Sequence, residues 1–335
     1  MFDIRRRQFI MLLGGAAAAW PLVARAQQSV RHIGVLMAIA EDDPDSRANV
    51  AAFEQGLAQR GWISGRNVRI DYRWAVDRLA VDSTEKYKAA LAEFLALSPD
   101  VIVTSNSRTM RELRQVMPTV PIVFTMIYEP VAQGFVESLA HPGGNATGLT
   151  AMEATIGAKW LELLSEMVPA LARVAYICNP SNPGPLQPFA AVETAAHNHA
   201  VAVALAAVHG ATDIETVMST LAREPGAGLI VPPDGFLINH RKLIIELAAR
   251  DKLPAIYGLA SFAAQGGLAS FGVKPSEQFR QAAEYVDRIL RGEKPANLPV
   301  QQPTRYALVI NLRAAKTLGL NISPTVLAIA DEVIE

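Results

Sequence analysis

Residues 99–116 read PDVIVTSNSRTMRELRQV and set the pattern on which the predicted fold is built. Val101-Ile102-Val103-Thr104 is a short, uninterrupted run of β-branched residues, which is typical of a strand buried on both faces of a parallel sheet. Arg108 to Val116 then has the composition and spacing of a helix. One buried strand followed directly by one helix is the repeating unit of an α/β fold.

The same unit recurs on both sides of this stretch. Strands alternate with helices before the turn cluster His141-Pro142-Gly143-Gly144-Asn145, and the alternation restarts after it. The first half predicts strands at 33–37, 67–74, 101–104 and 121–125, and helices at 46–60, 83–97, 108–116 and 131–139. The second half predicts strands at 173–177, 201–208, 228–231 and 254–257, and helices at 160–167, 186–197, 213–222 and 237–250. A further helix at 276–291 and extended segments after it indicate that the chain crosses between the two halves again.

Composition excludes several classes of protein. The chain has 335 residues, of which 50% are hydrophobic and 19% charged, with a formal net charge of −1. It is too apolar and too neutral for a disordered chain, and too weakly basic for a nucleic-acid binder that relies on phosphate contacts. A single cysteine, Cys178, cannot form an internal disulfide or a multi-thiolate metal site. The length suggests two domains.

The first 26 residues have the features of an export signal. Arg5-Arg6-Arg7 precedes a short apolar stretch rich in Ala and Gly, and Ala24-Arg25-Ala26 is an A-x-A cleavage site. Arg6-Arg7 with Phe9 two residues on resembles the twin-arginine signal. The alternatives are a membrane anchor or a structural first helix. We expect cleavage after Ala26, which would leave a mature chain with a formal charge of −4 in the periplasm.

Motifs of catalysis are missing from the sequence. It contains no G-x-G-x-x-G after a strand, no Walker loop and no G-x-S-x-G elbow. His197 and His199 lack a third ligand for a metal, and Cys178 lacks an identifiable histidine partner. We therefore expect no enzyme activity, no cofactor and no metal.

Polar residues concentrate where strands end, which is where ligands bind in open α/β sheets. Glu41, Asp42 and Asp43 follow the first strand, although a solvated loop is the alternative there. The twelve candidate ligand-binding residues are Thr104, Ser105, Asn106, Ser107, Tyr128, Glu129, Asn179, Ser181, Asn182, Asp234, Tyr257 and Ser261.

The types of these residues suit an amino-acid-like ligand. Hydroxyl and N–H groups at a helix N-terminus, as in Thr104–Ser107, suit a carboxylate. Asp234 suits an ammonium group, and Tyr128 and Tyr257 can stack on an apolar or aromatic group. Structural roles are the alternatives: Thr104–Ser107 and Asp234 can cap helices, and Asn179–Gly184 can be a simple turn.

Several of these segments resemble one protein family. The segments are Ile33-Gly34-Val35-Leu36, Pro121-Ile122-Val123-Phe124, Pro142-Gly143-Gly144-Asn145-x-Thr147-Gly148, and Tyr257-Gly258 followed by Gly266-Gly267-Leu268. They are similar to the ABC-transporter substrate-binding family that includes tryptophan- and tyrosine-binding members. The Pro-Gly-Gly-Asn-x-Thr-Gly segment is the most specific of these motifs. Gly235 after Asp234, and Glu129-Pro130, depart from the pattern of many relatives.

The resemblance implies a type I periplasmic-binding fold, in which two Rossmann-like lobes with parallel sheets are joined by a multi-strand hinge. The predicted lobes are 31–147 with 275–297, and 148–274 with 298–335. It also implies closure of the lobes on a small ligand, which an ABC permease in the inner membrane then accepts. We expect a monomer with no nucleic-acid partner.

Two other functions stay open at this stage. A periplasmic sensor that binds a ligand and docks on a signalling receptor would have the same fold. A secreted enzyme would require a base and nucleophile that the sequence does not supply.

Overall fold

The computed structural model describes residues 30–74 and 84–335, and these form two α/β units. The predicted export signal at residues 1–26 lies outside the described residues. Each unit is built on its own sheet with helices packed against it, so the predicted fold class is confirmed. Within the described residues, no helix is both long enough and apolar enough to span a membrane.

The first sheet has five parallel strands in the order β2-β1-β3-β4-β5. β1 lies in the middle and pairs with β2 on one side and β3 on the other. Its Ile33 and Val35 are buried, as expected of a strand covered on both faces. The strands are β1 (Arg31–Met37), β2 (Val68–Trp74), β3 (Val101–Ser105), β4 (Ile122–Ile127) and β5 (Ala146–Thr150).

Three helices connect these strands, and a fourth that the sequence predicts is missing. They are α1 (Pro44–Gln59), α2 (Thr84–Leu97) and α3 (Ser107–Val116). The helix predicted at 131–139 is wrong, because this segment forms successive turns. Gly134 has a positive φ of 69°, and the N–H of Phe135 reaches back five residues to the carbonyl of Pro130. These turns break the helical hydrogen-bond pattern.

The second sheet has seven strands in the order β12-β11-β10-β9-β8-β6-β7. All neighbouring strands are parallel except β10 and β11. The strands are β6 (Arg173–Cys178), β7 (Ala202–Ala207), β8 (Ala227–Val231), β9 (Ala255–Tyr257), β10 (Ala269–Gly272), β11 (Ala307–Asn311) and β12 (Glu332–Ile334).

Helices cover both faces of the second sheet. The helix predicted at 237–250 is instead two helices, separated at His240. The helices of this unit are α4 (Ile156–Met167), α5 (Phe189–His199), α6 (Ala211–Leu221), α7 (Gly235–Asn239), α8 (Arg241–Arg250), α9 (Ala260–Ala264), α11 (Leu312–Leu318) and α12 (Pro324–Ala328).

One late helix returns to the first unit. α10 (Pro275–Leu290) follows β10 in the chain but packs on α1. Gly56 permits this contact, since a Cβ there would lie 2.8 Å from the carbonyl oxygen of Arg280. Residue Gln301 then pairs with Leu149 before the chain re-enters the second sheet as β11. The chain therefore passes between the units three times, after Thr150, before α10 and after Gln301.

The Pro-Gly-Gly-Asn-x-Thr-Gly segment shapes the strand before the first passage. Gly148 has a φ of 151°, and a Cβ there would lie 2.0 Å from the carbonyl oxygen of Phe124. Thr147 donates a 2.5 Å hydrogen bond to the carbonyl of Leu298, and Asn145 donates to the carbonyls of Met117 and Val120. The motif thus joins β5 to β4 and to the returning chain, and this explains its composition.

Candidate functional site

A cavity lies between the two units, where the carboxyl ends of strands from both sheets face each other. Its volume is about 50 Å³, measured as the space open to the centre of a water molecule. Because one water needs roughly 10–15 Å³ on this measure, the cavity is narrow but larger than a single water site. The first unit lines it with Ala38, Ile39, Asp45, Asn49, Ser105, Asn106, Ser107, Met126, Tyr128, Pro275 and Phe279, and the second with Asn182, Pro185, Pro233, Asp234, Gly235, Ile238 and Leu259.

The junction of β3 and α3 supplies three of the predicted residues to this cavity. Asn106 caps α3, since its side chain accepts a 2.9 Å hydrogen bond from the N–H of Thr109. Its φ of 109° is unusual for a residue other than glycine. Ser105 and Ser107 line the cavity on either side of this cap. Thr104 does not, because it is fully buried and donates to the hydroxyl of Thr109.

The end of β4 supplies Tyr128, which is 2% exposed. Its hydroxyl is buried and has no hydrogen-bond partner among the described residues. Burial raises its pKa well above the ordinary value, so the hydroxyl stays protonated. Glu129, the neighbouring candidate, has a φ of 39° and lies outside the cavity lining.

A bulge at the end of β4 sets the direction of this segment. The pairing of β4 with β5 is irregular between Phe124 and Ile127, and Met126 has a φ of 55°. The buried side chain of Gln278 on α10 accepts from the N–H of Met126 and donates to the carbonyl of Thr150. Gln278 therefore supports an otherwise unfavourable backbone conformation beside the cavity.

Asp234 is the charged centre of the second unit's contribution. It is 4% exposed and caps α7, because its Oδ1 accepts from the N–H groups of Phe236 and Leu237. Its Oδ2 accepts a 2.7 Å hydrogen bond from Nδ2 of Asn182. Among the described residues, the partners of this carboxylate are N–H groups, and His240 acts on it through a Coulombic effect that lowers its pKa. Desolvation by burial raises its pKa above the ordinary value, although these hydrogen bonds oppose the shift.

Asn182 links the two neighbouring strand ends of the second sheet. It is 7% exposed and lines the cavity. While its amide nitrogen binds Asp234, its Oδ1 is buried with no partner among the described residues. The site thus contains two unpartnered polar atoms, Asn182 Oδ1 and the hydroxyl oxygen of Tyr128, from opposite units.

Four other predicted residues lie away from the cavity. Asn179 accepts from the N–H of Ser181 in a local turn, and Ser181 is exposed. Tyr257 is 1% exposed, stacks on Phe262, and lines a different pocket within the second unit. Ser261 donates a 2.7 Å hydrogen bond to Oδ2 of Asp45 instead of facing the cavity.

The sequence reasoning missed polar residues that α1 brings to the cavity. Asn49 is 3% exposed and Asp45 lies one turn earlier on the same helix. The sequence does indicate that Asn49 is buried, because it lies four residues before Phe53 and thus on the apolar face of the helix. A polar residue on a buried face commonly has a specific partner.

The cysteine and the two histidines that were considered as a nucleophile and as metal ligands do not line the cavity. Burial raises the pKa of the Cys178 thiol to about 11, so it is protonated at neutral pH. His197 and His199 are exposed at the end of α5. In residues 30–74 and 84–335, no group of three or more His, Cys, Asp and Glu side chains has the arrangement of a metal site.

The chain is similar to known proteins along most of its length. The family model described as ABC transporter substrate binding protein matches residues 32–334. A curated relative, a tyrosine-binding protein of Clostridioides difficile (strain R20291), is 22% identical over 290 residues. That match covers 87% of this chain and 81% of the relative.

Solved structures share the fold. The ABC domain in complex with L-Trp from Streptococcus pneumonia superposes with a TM-score of 0.82 at 22% identity, and covers 91% of this chain and 100% of that one. The ligand-free, open structure of a substrate binding protein with adhesive properties from Clostridium difficile gives a TM-score of 0.64 at 22% identity, with 91% and 99% covered. The predicted type I periplasmic-binding fold is confirmed, and the chain superposes better on the ligand-bound structure than on the open one.

Proposed function

This chain belongs to the family of ABC transporter substrate-binding proteins, and from that premise we propose that it captures an amino-acid-like ligand between its two lobes for an ABC importer. Members of this family bind ligands and do not catalyse reactions, in agreement with the expectation from the sequence. The ligand would be a small zwitterion with an apolar side chain.

The observation that carries this proposal is the environment of Asp234. A buried carboxylate is costly unless a cation compensates it, and hydrogen bonds from neutral groups compensate only in part. Here the described residues supply three N–H donors and no ion pair, and the only charged side chain among the causes of its pKa shift is His240, which acts through a Coulombic effect. A ligand ammonium in the cavity would supply the missing charge. It would also donate to Asn182 Oδ1, which has no other partner.

The opposite wall suits the carboxylate of the same ligand. Helix N-termini attract anions, because their first N–H groups lack intrahelical partners and the helix dipole is positive there. α3 is ten residues long and begins at the cavity with Ser107. The side chains of Ser105 and Ser107 add hydroxyl groups on the same wall. An ammonium site on one lobe and a carboxylate site on the other would make binding depend on closure.

The remaining lining favours an apolar side chain. Apolar side chains make up much of the cavity wall, and they are those of Ile39, Met126, Phe279, Ile238 and Leu259. The relatives are described as a complex with L-Trp and as a tyrosine-binding protein, and this supports an aromatic amino acid here. Of the twelve predicted residues, we propose ligand contacts for the six that line the cavity, which are Ser105, Asn106, Ser107, Tyr128, Asn182 and Asp234.

The cellular part of the proposal rests on the sequence. The arginine-rich start and the A-x-A site support export to the periplasm with cleavage after Ala26. The ligand-loaded protein would dock on a permease of the inner membrane. Subcellular fractionation tests this directly: export should fail when Arg6 and Arg7 are both changed to Lys, and cytoplasmic accumulation of the unchanged protein would contradict it.

Ligand binding can be tested without knowing the ligand. Protein unfolded, dialysed and refolded to remove bound molecules should show a raised Tm with at least one of the twenty L-amino acids, because a ligand that binds only the folded state stabilises it. The Asp234→Asn variant is the matched control and should lose that shift. Equal midpoints with all twenty amino acids would contradict the proposal.

A further inference from the structure

The geometry points to Arg241 as a latch that holds the two lobes closed by bridging carboxylates of the opposite lobe. Arg241 begins α8 of the second lobe and is 4% exposed. This inference rests on the proposed closure around a ligand. It assigns a positioning role to residues that do not themselves need to contact the ligand.

The contacts of Arg241 cross the boundary between the lobes. Its Nη2 lies 2.9 Å and 3.2 Å from the two carboxylate oxygens of Asp43, and its Nη1 lies 2.5 Å from Oδ2 of Asp45. Asp43 caps α1 of the first lobe and is 5% exposed. Two carboxylates of one lobe are therefore fixed by one guanidinium of the other.

The second lobe holds the guanidinium in place. Ser261 accepts a 3.0 Å hydrogen bond from Nη1 of Arg241 and donates to Oδ2 of Asp45. The guanidinium carbon also lies 5.7 Å from the centre of the Phe262 ring. Arg241 is thus oriented by its own lobe, and a planar guanidinium suits such a two-sided arrangement better than a lysine ammonium.

Neighbouring contacts show that the lobes meet at this point. The N–H of Ala40 donates a 3.2 Å hydrogen bond to Asn239 Oδ1 across the boundary. A Cβ at Gly235 would lie 2.7 Å from the carbonyl oxygen of Ala38, so the backbones approach closely. All of these contacts must break when the lobes separate.

The latch follows a strand that is distant from the first passage of the chain between the lobes. Asp43 and Asp45 come after β1, and β1 is three strands away from β5 in the order β2-β1-β3-β4-β5. The chain first leaves this lobe after β5. Neighbouring strands are about 4.8 Å apart, so β1 lies about 14 Å from β5 across the sheet. A contact far from a hinge resists opening more effectively than one beside it.

The charges of the latch also make the closed form more sensitive than the open form to the loss of Arg241. In the closed form, two carboxylates and one guanidinium are largely removed from water. Loss of the guanidinium would leave the carboxylates of Asp43 and Asp45 close together without a cation. This is strongly unfavourable where both groups are largely removed from water. In the open form the same carboxylates would be hydrated. Removing Arg241 should therefore penalise the closed form selectively.

The first experiment measures closure without any ligand. Spin labels at Arg66→Cys and Glu215→Cys, which lie at exposed positions of different lobes, report the inter-lobe distance by pulsed electron resonance. Arg241→Gln should shift the distribution of the ligand-free protein towards longer distances. Arg250→Gln is the control, because Arg250 is exposed and pairs with Asp251 within its own lobe. Identical distributions for Arg241→Gln and the unchanged protein would overturn the latch.

The second experiment measures release of a ligand. With L-tryptophan or L-tyrosine as the probe, whichever binds the unchanged protein, Arg241→Gln should raise the dissociation rate at least tenfold and change the association rate little. Combining Arg241→Gln with Asp43→Asn should recover part of the loss, since the more buried of the two carboxylates left without a cation is then removed. Asn also caps helices well, so α1 should persist.

The two hypotheses fail in different ways. If neither probe binds the unchanged protein, the proposed ligand class is wrong, while the distance measurement still decides the latch. If a probe binds and Arg241→Gln changes neither distance nor dissociation rate, the latch is wrong and the proposed function stands. A Tm fall without either change would assign Arg241 a purely structural role and would contradict the latch.

Discussion

Asn182 Nδ2 donates a 2.7 Å hydrogen bond to Oδ2 of Asp234, which leaves Asn182 Oδ1 buried without a partner beside the inter-lobe cavity. The pair therefore offers a ligand two acceptors and one negative charge. Asp234 is held in place by two backbone N–H groups of α7. The arrangement is oriented before any ligand arrives, which lowers the entropic cost of binding.

Asp234→Asn should weaken ligand binding without weakening the fold. Removing the charge from the ammonium site should reduce affinity for a zwitterionic amino acid by about 2–4 kcal/mol. Stability of the ligand-free protein should stay equal or rise, because an asparagine can still cap α7 and no buried charge remains. Calorimetry and urea unfolding measure the two effects. A parallel loss of both would indicate that Asp234 only supports the fold.

Binding should weaken as the pH falls through the raised pKa of Asp234. An ammonium ligand favours the ionised carboxylate, so below that pKa binding must displace a proton and affinity should fall by up to about tenfold per pH unit. For the ligand-free fold the sign is opposite: a raised carboxyl pKa gives a contribution to stability that is full below the unfolded-state pKa and is lost as pH rises through the folded-state pKa. Titrations at pH 5 and pH 7.5, each in two buffers of different ionisation enthalpy, measure proton release. Asp234→Asn should show none.

Tyr128→Phe should separate a ligand contact from a packing role. The Tyr128 hydroxyl is buried without a partner in the described chain, so its removal should not destabilise the ligand-free protein. Ligand affinity should fall by about 0.5–2 kcal/mol if the hydroxyl bonds the ligand. Tyr285→Phe is the control with the reverse pattern, because the Tyr285 hydroxyl donates to the carbonyl of Pro299 away from the cavity. Unchanged affinity in Tyr128→Phe would remove this hydroxyl from the site.

Gly148→Ala should destabilise the fold by at least about 3 kcal/mol, through backbone strain and a clash with β4. The added Cβ would lie 2.0 Å from the carbonyl oxygen of Phe124, and the residue has a φ of 151°. Gly144→Ala in the same motif is the matched control, since a Cβ there meets no atom within 4 Å. Urea unfolding compares the two variants, and equal stabilities would refute the structural reason given for the motif.

Patterns in the chain predict the strands well because burial on both faces selects β-branched runs such as Val101-Ile102-Val103. The helix predicted at 131–139 failed for a local reason. Its apolar residues, among them Phe135, have helical spacing, but the turn at Gly134 and the preceding Pro130 favour a different backbone. Periodicity reports which residues are buried and does not fix the conformation that buries them.

The same limit applies to the candidate site. Asn182 and Asp234, which follow strand ends, line the inter-lobe cavity, and their contact with a ligand stays a prediction. Tyr257 also ends a strand, but its side chain packs within the second lobe against Phe262, because a strand end does not specify which way a side chain points. Asn49 was missed because it comes from a helix, which the strand-end rule does not consider.

The most direct test of the account is a pair of calorimetric titrations on refolded, ligand-free protein. One titrant is the L-amino acid with the largest shift in Tm, and the other is its des-amino analogue, which keeps the carboxylate and side chain. We predict saturable one-to-one binding of the amino acid, and at least about 30-fold weaker binding of the analogue, which corresponds to about 2 kcal/mol for the contact with Asp234. Equal affinity for both compounds, or no binding of either, would contradict the assignment of this cavity to an amino-acid-like ligand.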